Sequence, residues 1–187
     1  MSQFVFPETW RSPGTLRHAG RLLGLYLVRR DGAFEDARMI TEVEAYDSEK
    51  DLACHARFGR TRRSEVLYAA GGIWYVYLCY GVHEMLNLVV GPPDHPAALL
   101  IRSVEGIAGP GRVTKALRVG RSLNRCVTEP GCGLYLEDRG VRVPGRLIRR
   151  TPRIGVDYAG PIWANKPWRF TFDPTKLRAT PAGPVQG

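Results

Sequence analysis

The chain contains 187 residues, of which 44% are hydrophobic and 24% are charged. This composition is typical of a single globular domain and excludes a disordered, collagen-like or coiled-coil chain. Lys and Arg outnumber Asp and Glu by 27 to 18, which gives a formal net charge of +9. Such an excess indicates a polyanionic partner, either nucleic acid or an anionic membrane surface.

The cellular setting is predicted from what the sequence lacks. No apolar run reaches the roughly 20 residues of a membrane span, and the first eleven residues include Glu8 and no apolar signal-peptide core. We therefore expect a cytoplasmic protein that is not secreted. The four cysteines, Cys54, Cys79, Cys126 and Cys132, lack zinc-ligand spacing, so we expect no metal and no cofactor. In an oxidising compartment Cys126 and Cys132 could close a small loop, whereas free thiols are expected in a cytosol.

The first half of the chain predicts a helix followed by two strands. Thr15 can cap a short helix that ends at Gly24 and has one apolar face, formed by Leu16, Ala19, Leu22 and Leu23. A strand is expected over residues 25–29, a turn at 31–32 and a long strand over 37–46. The first dozen residues are loosely patterned, and residues 173–187 are rich in Pro and Gly. The single domain 1–187 is therefore expected to have an ordered core over 15–172 and a frayed tail over 173–187.

The long strand has two chemically different faces. Period-2 counting places Met39, Thr41, Val43 and Ala45 on one face and Ile40, Glu42, Glu44 and Tyr46 on the other. The first face suits a core. The second combines two carboxylates, which are the usual apparatus for hydrolysing a glycosidic bond, with an aromatic ring that could stack on a planar substrate. The alternative interpretation of this Glu-x-Glu pattern is a solvated strand face.

The second half of the chain predicts more antiparallel strands and one basic helix. Strands are expected over residues 73–79, 85–90 and 97–104, and a helix over 112–119. The first two strands form a hairpin with its tip at residues 80–84. Short helices beside antiparallel strands predict an α+β domain.

Single residues in these elements are candidates for recognition. Tyr80 at the hairpin tip has little to pack on, and an exposed aromatic residue in a basic protein suits insertion into a base stack. Asn87 lies in an apolar strand, so its amide must find backbone partners or a ligand edge. His55 follows an acidic run, and a lone histidine is more often structural than catalytic.

Positive charge is concentrated between Arg102 and Arg153. This segment carries twelve Lys and Arg against four Asp and Glu, whereas the first 101 residues carry eleven against twelve. The asymmetry indicates a binding face rather than even solvation. Arginine suits phosphate because its planar guanidinium binds two oxygens at once. Soluble Arg-rich loops are the alternative.

Several motifs occur in a fixed order along residues 16–172. They are Glu42-Val-Glu-Ala-Tyr46, His55, Gly59-Arg-Thr61, Tyr75-Val-Tyr77-Leu-Cys-Tyr80-Gly81, Asn87, Leu100-Ile-Arg102, Gly109-Pro-Gly-Arg-Val-Thr-Lys-Ala-Leu117, Arg153-Ile-Gly155, Trp163 and Lys166-Pro-Trp-Arg-Phe170. No single motif is specific, but the ordered set resembles the alkyladenine (3-methyladenine) DNA glycosylase family. The sequence departs from the family pattern at residues 62–64, which are Arg-Arg-Ser instead of Pro-Arg-Asn, and at Glu84, whose charge near the hairpin tip is unfavourable to phosphate.

The resemblance implies a fold and an activity. The fold would be a curved, mostly antiparallel sheet with short helices and a protruding β-hairpin that inserts into DNA. The activity would be excision of alkylated or deaminated purines from damaged double-stranded DNA: 3-methyladenine, 7-methylguanine, hypoxanthine or ethenoadenine. The base would be flipped out and its N-glycosidic bond hydrolysed without strand cleavage. A monomer without a protein partner or membrane contact is expected.

The resemblance also implies roles for individual residues in catalysis and wedging. Glu44 matches the general base that activates a water for attack on C1′. Arg102 matches an arginine near this water and the nucleotide phosphate. Tyr80 matches the wedge that fills the gap left in the duplex.

A second set of residues matches the base pocket of the family. Tyr46 and Tyr77 match the aromatic rings that sandwich the flipped base, and His55 lies in the same pocket. The backbone of Ala53 and His55 matches groups that hydrogen-bond the base edge. Asn87 matches the side chain that excludes normal guanine by clashing with its exocyclic amine.

Three other functions compete with this interpretation. A non-catalytic binder of damaged DNA would keep Tyr77, Tyr80 and the arginines but would not need Glu44. A carbohydrate glycosidase would use Glu42 and Glu44, although the charge of +9 has no purpose on a neutral glycan. Binding to a membrane surface would require a basic amphipathic helix of useful length, which the sequence does not show.

Overall fold

The computed structural model describes residues 2–177. Its strands are β1 (Gln3–Phe4), β2 (Tyr26–Asp31), β3 (Phe34–Asp47), β4 (Ile73–Cys79), β5 (His83–Val89), β6 (Ala97–Val104), β7 (Ile107–Ala108), β8 (Leu134–Asp138), β9 (Arg149–Thr151) and β10 (Arg169–Thr171). Its α-helices are α1 (Thr15–Leu22), α2 (Pro110–Ala116) and α3 (Gly160–Ala164). Short 3₁₀ turns join them, including His55–Phe58, Arg121–Leu123 and Asp157–Ala159.

One curved antiparallel sheet organises the molecule. Its strand order is β1-β8-β2-β3-β6-β5-β4, and β10 pairs with both β3 and β9. The N-terminal half of β3 pairs with β2, and its C-terminal half runs between β6 and β10. Short helices beside such a sheet confirm the predicted α+β class.

The strand β3 keeps the predicted side-chain alternation only over its C-terminal half. Its pairing with β6 shifts register between Ile40 and Glu42 and again between Glu42 and Val43. A bulge adds one residue and interrupts the strict alternation of side chains between the two faces. Ile40 therefore packs in the same core cluster as Val43 and Ala45. Its predicted place on the face of Glu42 and Glu44 is wrong.

The two faces of the sheet have different uses. One face carries the main core, in which α1 and α2 pack on the central strands; its largest fully buried side chains include Trp10, Trp74 and Ile101. A smaller cluster that includes Cys54, Leu67 and Tyr75 borders Tyr46 and Tyr77. This second cluster supports the aromatic side chains of the site.

The boundaries of several predicted elements move by a few residues. The first helix begins at Thr15 as expected, but Gly14 is its N-cap and the Thr15 hydroxyl donates to Asp47 instead. The strand β5 begins at His83, which shortens the hairpin tip to residues 80–82. The basic helix α2 spans Pro110–Ala116 rather than 112–119.

The ordered core extends beyond the predicted limits of 15–172 at both ends. The strand β1 pairs with β8, and Trp10 is 1% exposed, so the first dozen residues are part of the fold. At the other end, Pro174–Leu177 form a 3₁₀ turn in which the Asp173 carboxylate accepts two hydrogen bonds from Thr175. The predicted tail therefore begins too early, and its remainder, 178–187, lies outside the described residues.

Candidate active site and DNA-facing surface

A cavity of about 540 Å³ opens beside the smaller cluster that includes Cys54, Leu67 and Tyr75. It is bounded by β3 to β6, by the turn after β3 and by residues 154–158. Of the predicted site residues, Tyr46, Ala53, His55, Tyr77, Tyr80, Asn87 and Arg102 all line it. Glu44 does not line the cavity, because it lies fully buried behind Tyr46 and Arg102.

The Glu44 carboxylate is held on both oxygens. Oε1 accepts a hydrogen bond from the backbone N–H of Ile154 at 2.8 Å. Oε2 accepts one from the Tyr46 hydroxyl at 2.9 Å, and Arg102 Nη1 lies 3.4 Å from the same oxygen. Burial raises the pKa of Glu44, and the positive charge of Arg102 opposes this rise. The result is a fixed carboxylate whose proton affinity is higher than that of an exposed glutamate.

Glu42 has a different environment from Glu44 although it is only two residues away. Its Oε2 accepts a hydrogen bond from Ser103 at 2.7 Å, and its Oε1 accepts from Arg102 and Arg169 at 3.1 and 2.8 Å. Burial acts to raise the pKa of Glu42, but these hydrogen bonds and the two arginines outweigh it and lower the pKa. Glu42 therefore stays ionised and orients Arg102, which makes it a positioning residue.

The walls of the cavity are aromatic. The rings of His55 and Tyr77 meet edge to face with centroids 4.6 Å apart, and His55 Nδ1 lies 2.9 Å from the Tyr75 hydroxyl. Burial, together with neighbouring arginines such as Arg63, lowers the pKa of His55 to about 4, so the ring is neutral at pH 7. Burial raises the pKa of Tyr46 and of Tyr77, so both phenols keep their protons.

A buried ion pair behind Tyr46 escaped prediction from the sequence. The Arg153 guanidinium donates to both Asp51 oxygens at 2.6 and 2.8 Å, and both side chains are 0% exposed. Arg153 also donates to the Ala45 carbonyl, and its guanidinium carbon lies 4.8 Å from the Tyr46 ring centroid. The pair fixes the rear of the pocket. In the sequence, only Arg153 was marked, as part of the Arg153-Ile-Gly155 motif.

The backbone of Ala53 already has partners in this structure. Its N–H donates to Asp51 at 3.0 Å, and its carbonyl accepts a hydrogen bond from the Tyr158 hydroxyl at 3.1 Å. A carbonyl has a second lone pair, so this oxygen can still accept from a ligand. Tyr158, which the sequence analysis did not single out, also lines the cavity.

The Asn87 amide is anchored by the backbone while its residue borders the cavity. It is 3% exposed, and Nδ2 donates to the Tyr75 carbonyl at 3.2 Å and to the Met85 carbonyl at 3.4 Å. The backbone alternative is therefore the one seen, and it fixes the orientation of the side chain. Exclusion of guanine by Asn87 stays a prediction.

The β4–β5 hairpin presents its tip to solvent. Tyr80 is 92% exposed and Val82 is 70% exposed, and between them Gly81 has a φ of +72°. Tyr80 itself has a φ of +49°, a conformation that is uncommon for a residue with a side chain. This tight turn projects two apolar side chains beyond the sheet.

The helix α2 braces the hairpin next to its turn, at His83 and Glu84. The Thr114 hydroxyl donates to the Glu84 carbonyl at 2.9 Å, and Arg121 Nε donates to Glu84 Oε1 at 3.1 Å. Gly111 lies so close to His83 that a Cβ there would stand 2.9 Å from the imidazole Nδ1. Glu84 pairs with Leu78 in the second residue pair from the turn, so it lies near the tip as predicted, but its charge is paired with Arg121.

The basic segment 102–153 is divided between ion pairs and exposed cations. Arg102, Arg121, Arg125, Arg139, Arg142 and Arg153 all make ion pairs. Arg112 and Lys115 on α2 are exposed beside the braced hairpin. Of this segment, Arg102 lines the cavity and α2 adds two exposed cations next to the hairpin.

Residues 2–177 contain neither a candidate metal site nor a helix that could span a membrane. No cluster of three or more His, Cys, Asp or Glu side chains in this range could hold a metal ion. Within the same range, no helix combines the length and the apolar character needed to cross a bilayer.

A curved sheet carrying an aromatic cavity, a buried carboxylate and a hairpin with an exposed tyrosine, on a basic protein, has the features of a DNA glycosylase. The chain matches the family described as methylpurine-DNA glycosylase over residues 10–108 and 105–176. We conclude that it belongs to the methylpurine-DNA glycosylase family. Enzymes of this class hydrolyse N-glycosidic bonds in DNA repair.

Several similar proteins carry the name "Putative 3-methyladenine DNA glycosylase". One from Anaeromyxobacter sp. (strain Fw109-5) is 41% identical over 81% of this chain and 80% of its own length. One from Myxococcus xanthus (strain DK1622) is 42% identical over 88% of each chain. One from Methanocella arvoryzae is 40% identical over 89% of this chain and 91% of its own.

Proposed function

We propose that this protein flips alkylated purines, such as 3-methyladenine and 7-methylguanine, out of duplex DNA and hydrolyses their N-glycosidic bond to leave an abasic site. The observation that carries the proposal is the fully buried Glu44 carboxylate directly behind the aromatic cavity, with Arg102 as its neighbour. The remaining steps follow from the same site. One chain holds all of these groups, so we expect the monomer to be active.

Glu44 acts as the general base in this proposal. Its raised pKa brings it closer to neutral pH, and a base is most effective when its pKa lies near the working pH. We place the attacking water beside Oε2 and Arg102, where the present contact of 3.4 Å is the longest to this carboxylate. The water loses a proton to Glu44 as its oxygen bonds to C1′, and the base leaves with the electron pair of the N-glycosidic bond.

The cavity favours a base that already carries a positive charge. A purine alkylated at N3 or N7 is cationic, and aromatic faces such as those of Tyr46 and Tyr77 attract cations. Because His55 is neutral, it does not repel a cationic base in the cavity. The cationic base is also a good leaving group, so one carboxylate suffices without an added acid. Hypoxanthine and ethenoadenine are neutral and are expected to react more slowly.

The exposed surface supplies the energy for extrusion. Taking a nucleotide out of a duplex costs a few kcal/mol, and the cost is lowest when damage has weakened the pair. Insertion of Tyr80 replaces the lost stacking, while Arg112 and Lys115 on α2 bind the phosphates beside the hairpin.

The experiment is single-turnover base release from a methylated duplex and from a hypoxanthine duplex, with wild type and Glu44→Gln. We expect release from the methylated duplex, a loss of about a thousandfold in the variant, and unchanged binding of DNA. Intact strands before alkali treatment would show hydrolysis without lyase cleavage. Binding without release by the wild type would leave a non-catalytic damage binder in place of the enzyme.

A further inference from the structure

An exposed three-residue stack lies at the mouth of the cavity. The guanidinium carbon of Arg57 is 4.4 Å from the ring centroid of Phe58 and 4.8 Å from that of Tyr158. Phe58 is 73% exposed and Tyr158 is 62% exposed. Arg57 thus contacts both rings while large parts of both stay open to solvent. We call these three residues the rim stack.

The rim stack is held in place by the local backbone and by the cation. Phe58 ends the 3₁₀ turn His55–Phe58, and Gly59 follows with a φ of +76°, which turns the chain away and leaves the ring outside the fold. Interaction of Arg57 with two rings restricts all three side chains. A restricted aromatic surface loses little conformational entropy when a ligand stacks on it.

The rim stack is continuous with the proposed base pocket. Tyr158 lines the cavity, and its hydroxyl donates to the Ala53 carbonyl in the cavity wall. The turn that carries Arg57 and Phe58 begins at His55, which lines the cavity as well. A nucleotide inside the cavity would therefore have its chain neighbour close to the exposed rings, and the charge of Arg57 suits a DNA phosphate.

We propose that the rim stack is a binding site for an unpaired nucleobase next to the excised base. The proposal rests on the function proposed above. In an intact duplex the neighbouring base stays in its own stack beside the Tyr80 wedge and does not need this site. In single-stranded or frayed DNA that support is missing, and stacking on Phe58 replaces it. Stacking accepts any base because every base has a π-face.

The test measures the protein concentration at half-maximal single-turnover release from a single strand and from a duplex of the same sequence, each with one 7-methylguanine. Phe58→Ala should raise this concentration roughly tenfold more for the single strand than for the duplex. Phe58→Trp, which keeps an aromatic ring at this position, should keep or improve the wild-type value. Phe6→Ala, at an exposed aromatic residue far from the cavity, is the matched control and should change neither value.

A second substrate separates stacking from charge. In a single strand whose lesion has an abasic analogue on each side, no neighbouring base can stack, so Phe58→Ala should lose its selective effect. Tyr80→Ala should show the opposite selectivity and should impair release from the duplex more than from the single strand.

An equal effect of Phe58→Ala on the single strand and on the duplex would overturn the rim-stack proposal. An effect of Phe58→Ala that persists when the lesion has an abasic analogue on each side would overturn it too. Wild-type release from the duplex with none from the single strand would overturn it as well. No release from either substrate would instead contradict the proposed function, and anisotropy with undamaged single strands would then still test the stack. In that anisotropy assay, equal affinity of wild type and Phe58→Ala for oligothymidine would reject the rim stack as a base-binding site.

Discussion

Glu44 at the back of the cavity is 0% exposed and is contacted by Ile154, Tyr46 and Arg102, whereas Tyr80 at the hairpin tip is 92% exposed. The same contrast separates the buried pair of Arg153 and Asp51 from the open rings of the rim stack. The protein forms the polar contacts behind the pocket when it folds. The side chains around the mouth stay open to solvent, and in the proposed function the substrate covers them.

This difference has an energetic reason. A carboxylate that must accept a proton at a defined atom benefits from partners that are oriented before the substrate arrives. Wedging and stacking groups gain their energy only on contact with DNA, so burying them in the free protein would remove that gain. Substitutions behind the pocket should therefore affect stability and proton affinity, and substitutions at the mouth should affect DNA handling alone.

The largest expected effect is on stability. Arg153→Met removes one partner of an ion pair in which both side chains are 0% exposed, and leaves the Asp51 carboxylate buried without its cationic partner. We expect the free energy of unfolding, measured in urea, to fall by about 3–5 kcal/mol. Arg142→Ala is the control, because that arginine is 74% exposed in its pair with Asp138 and should cost less than about 1 kcal/mol. Equal losses in the two variants would contradict the contrast.

The next effect tests the mouth of the site. Tyr80→Ala should lower base release from duplex DNA about tenfold or more, since stacking of an aromatic ring on a base contributes about 1–3 kcal/mol. The melting temperature should stay within error of wild type, because the side chain is almost fully exposed. Tyr80→Trp should restore release. A clear drop in the melting temperature of Tyr80→Ala would show that the wedge also supports the fold.

A third effect concerns the proton affinity of Glu44. As the proposed general base, Glu44 must be ionised, so we expect the rate to fall as the pH drops through its pKa. Burial raises this pKa, and the loss therefore begins at a higher pH than for an ordinary glutamate. The Tyr46 hydroxyl stabilises the ionised form, so Tyr46→Phe should raise the pKa further and move the acid limb of the pH–rate profile up by about one pH unit. Tyr77→Phe is the control, because it keeps the aromatic ring and removes no hydrogen bond to Glu44. The acid limb of its pH–rate profile should stay at the wild-type position. An equal shift in both variants would argue against Glu44 as the group that titrates.

The sequence predicted local features of the fold well because they depend on periodicity. The period-2 pattern of β3 placed Glu44 and Tyr46 on one face, and the hydroxyl of one indeed bonds the carboxylate of the other. The bulge that moves Ile40 into the core left no local signal, since it is set by pairing with β6. Short-range patterns describe a strand but not the register of its neighbour.

The sequence motifs identified residues that line the cavity or contact it, but they did not reveal the long-range contacts that support it. Arg102 was expected near the water that Glu44 would activate and near the nucleotide phosphate, and its guanidinium contacts both Glu42 and Glu44. The pair of Asp51 and Arg153 joins residues that are 102 positions apart, a contact that periodicity cannot reveal. The rim stack was missed for a different reason: an exposed phenylalanine in a loop looks the same in sequence as a buried one.

The smallest expected effect measures how the mouth of the site holds DNA. Arg112 and Lys115 are exposed on α2 beside the hairpin, and we expect each to neutralise one phosphate. Each alanine variant should therefore weaken duplex binding a few-fold at low salt and reduce the slope of log K against log salt concentration by about 0.9. Arg139→Ala is the control. Arg139 pairs with Glu137 on β8, and the strands β2, β3 and β6 lie between β8 and the hairpin. If Arg139→Ala reduced the slope as much as Arg112→Ala, DNA would respond to the net charge of the whole protein, and α2 would have no special place at the interface.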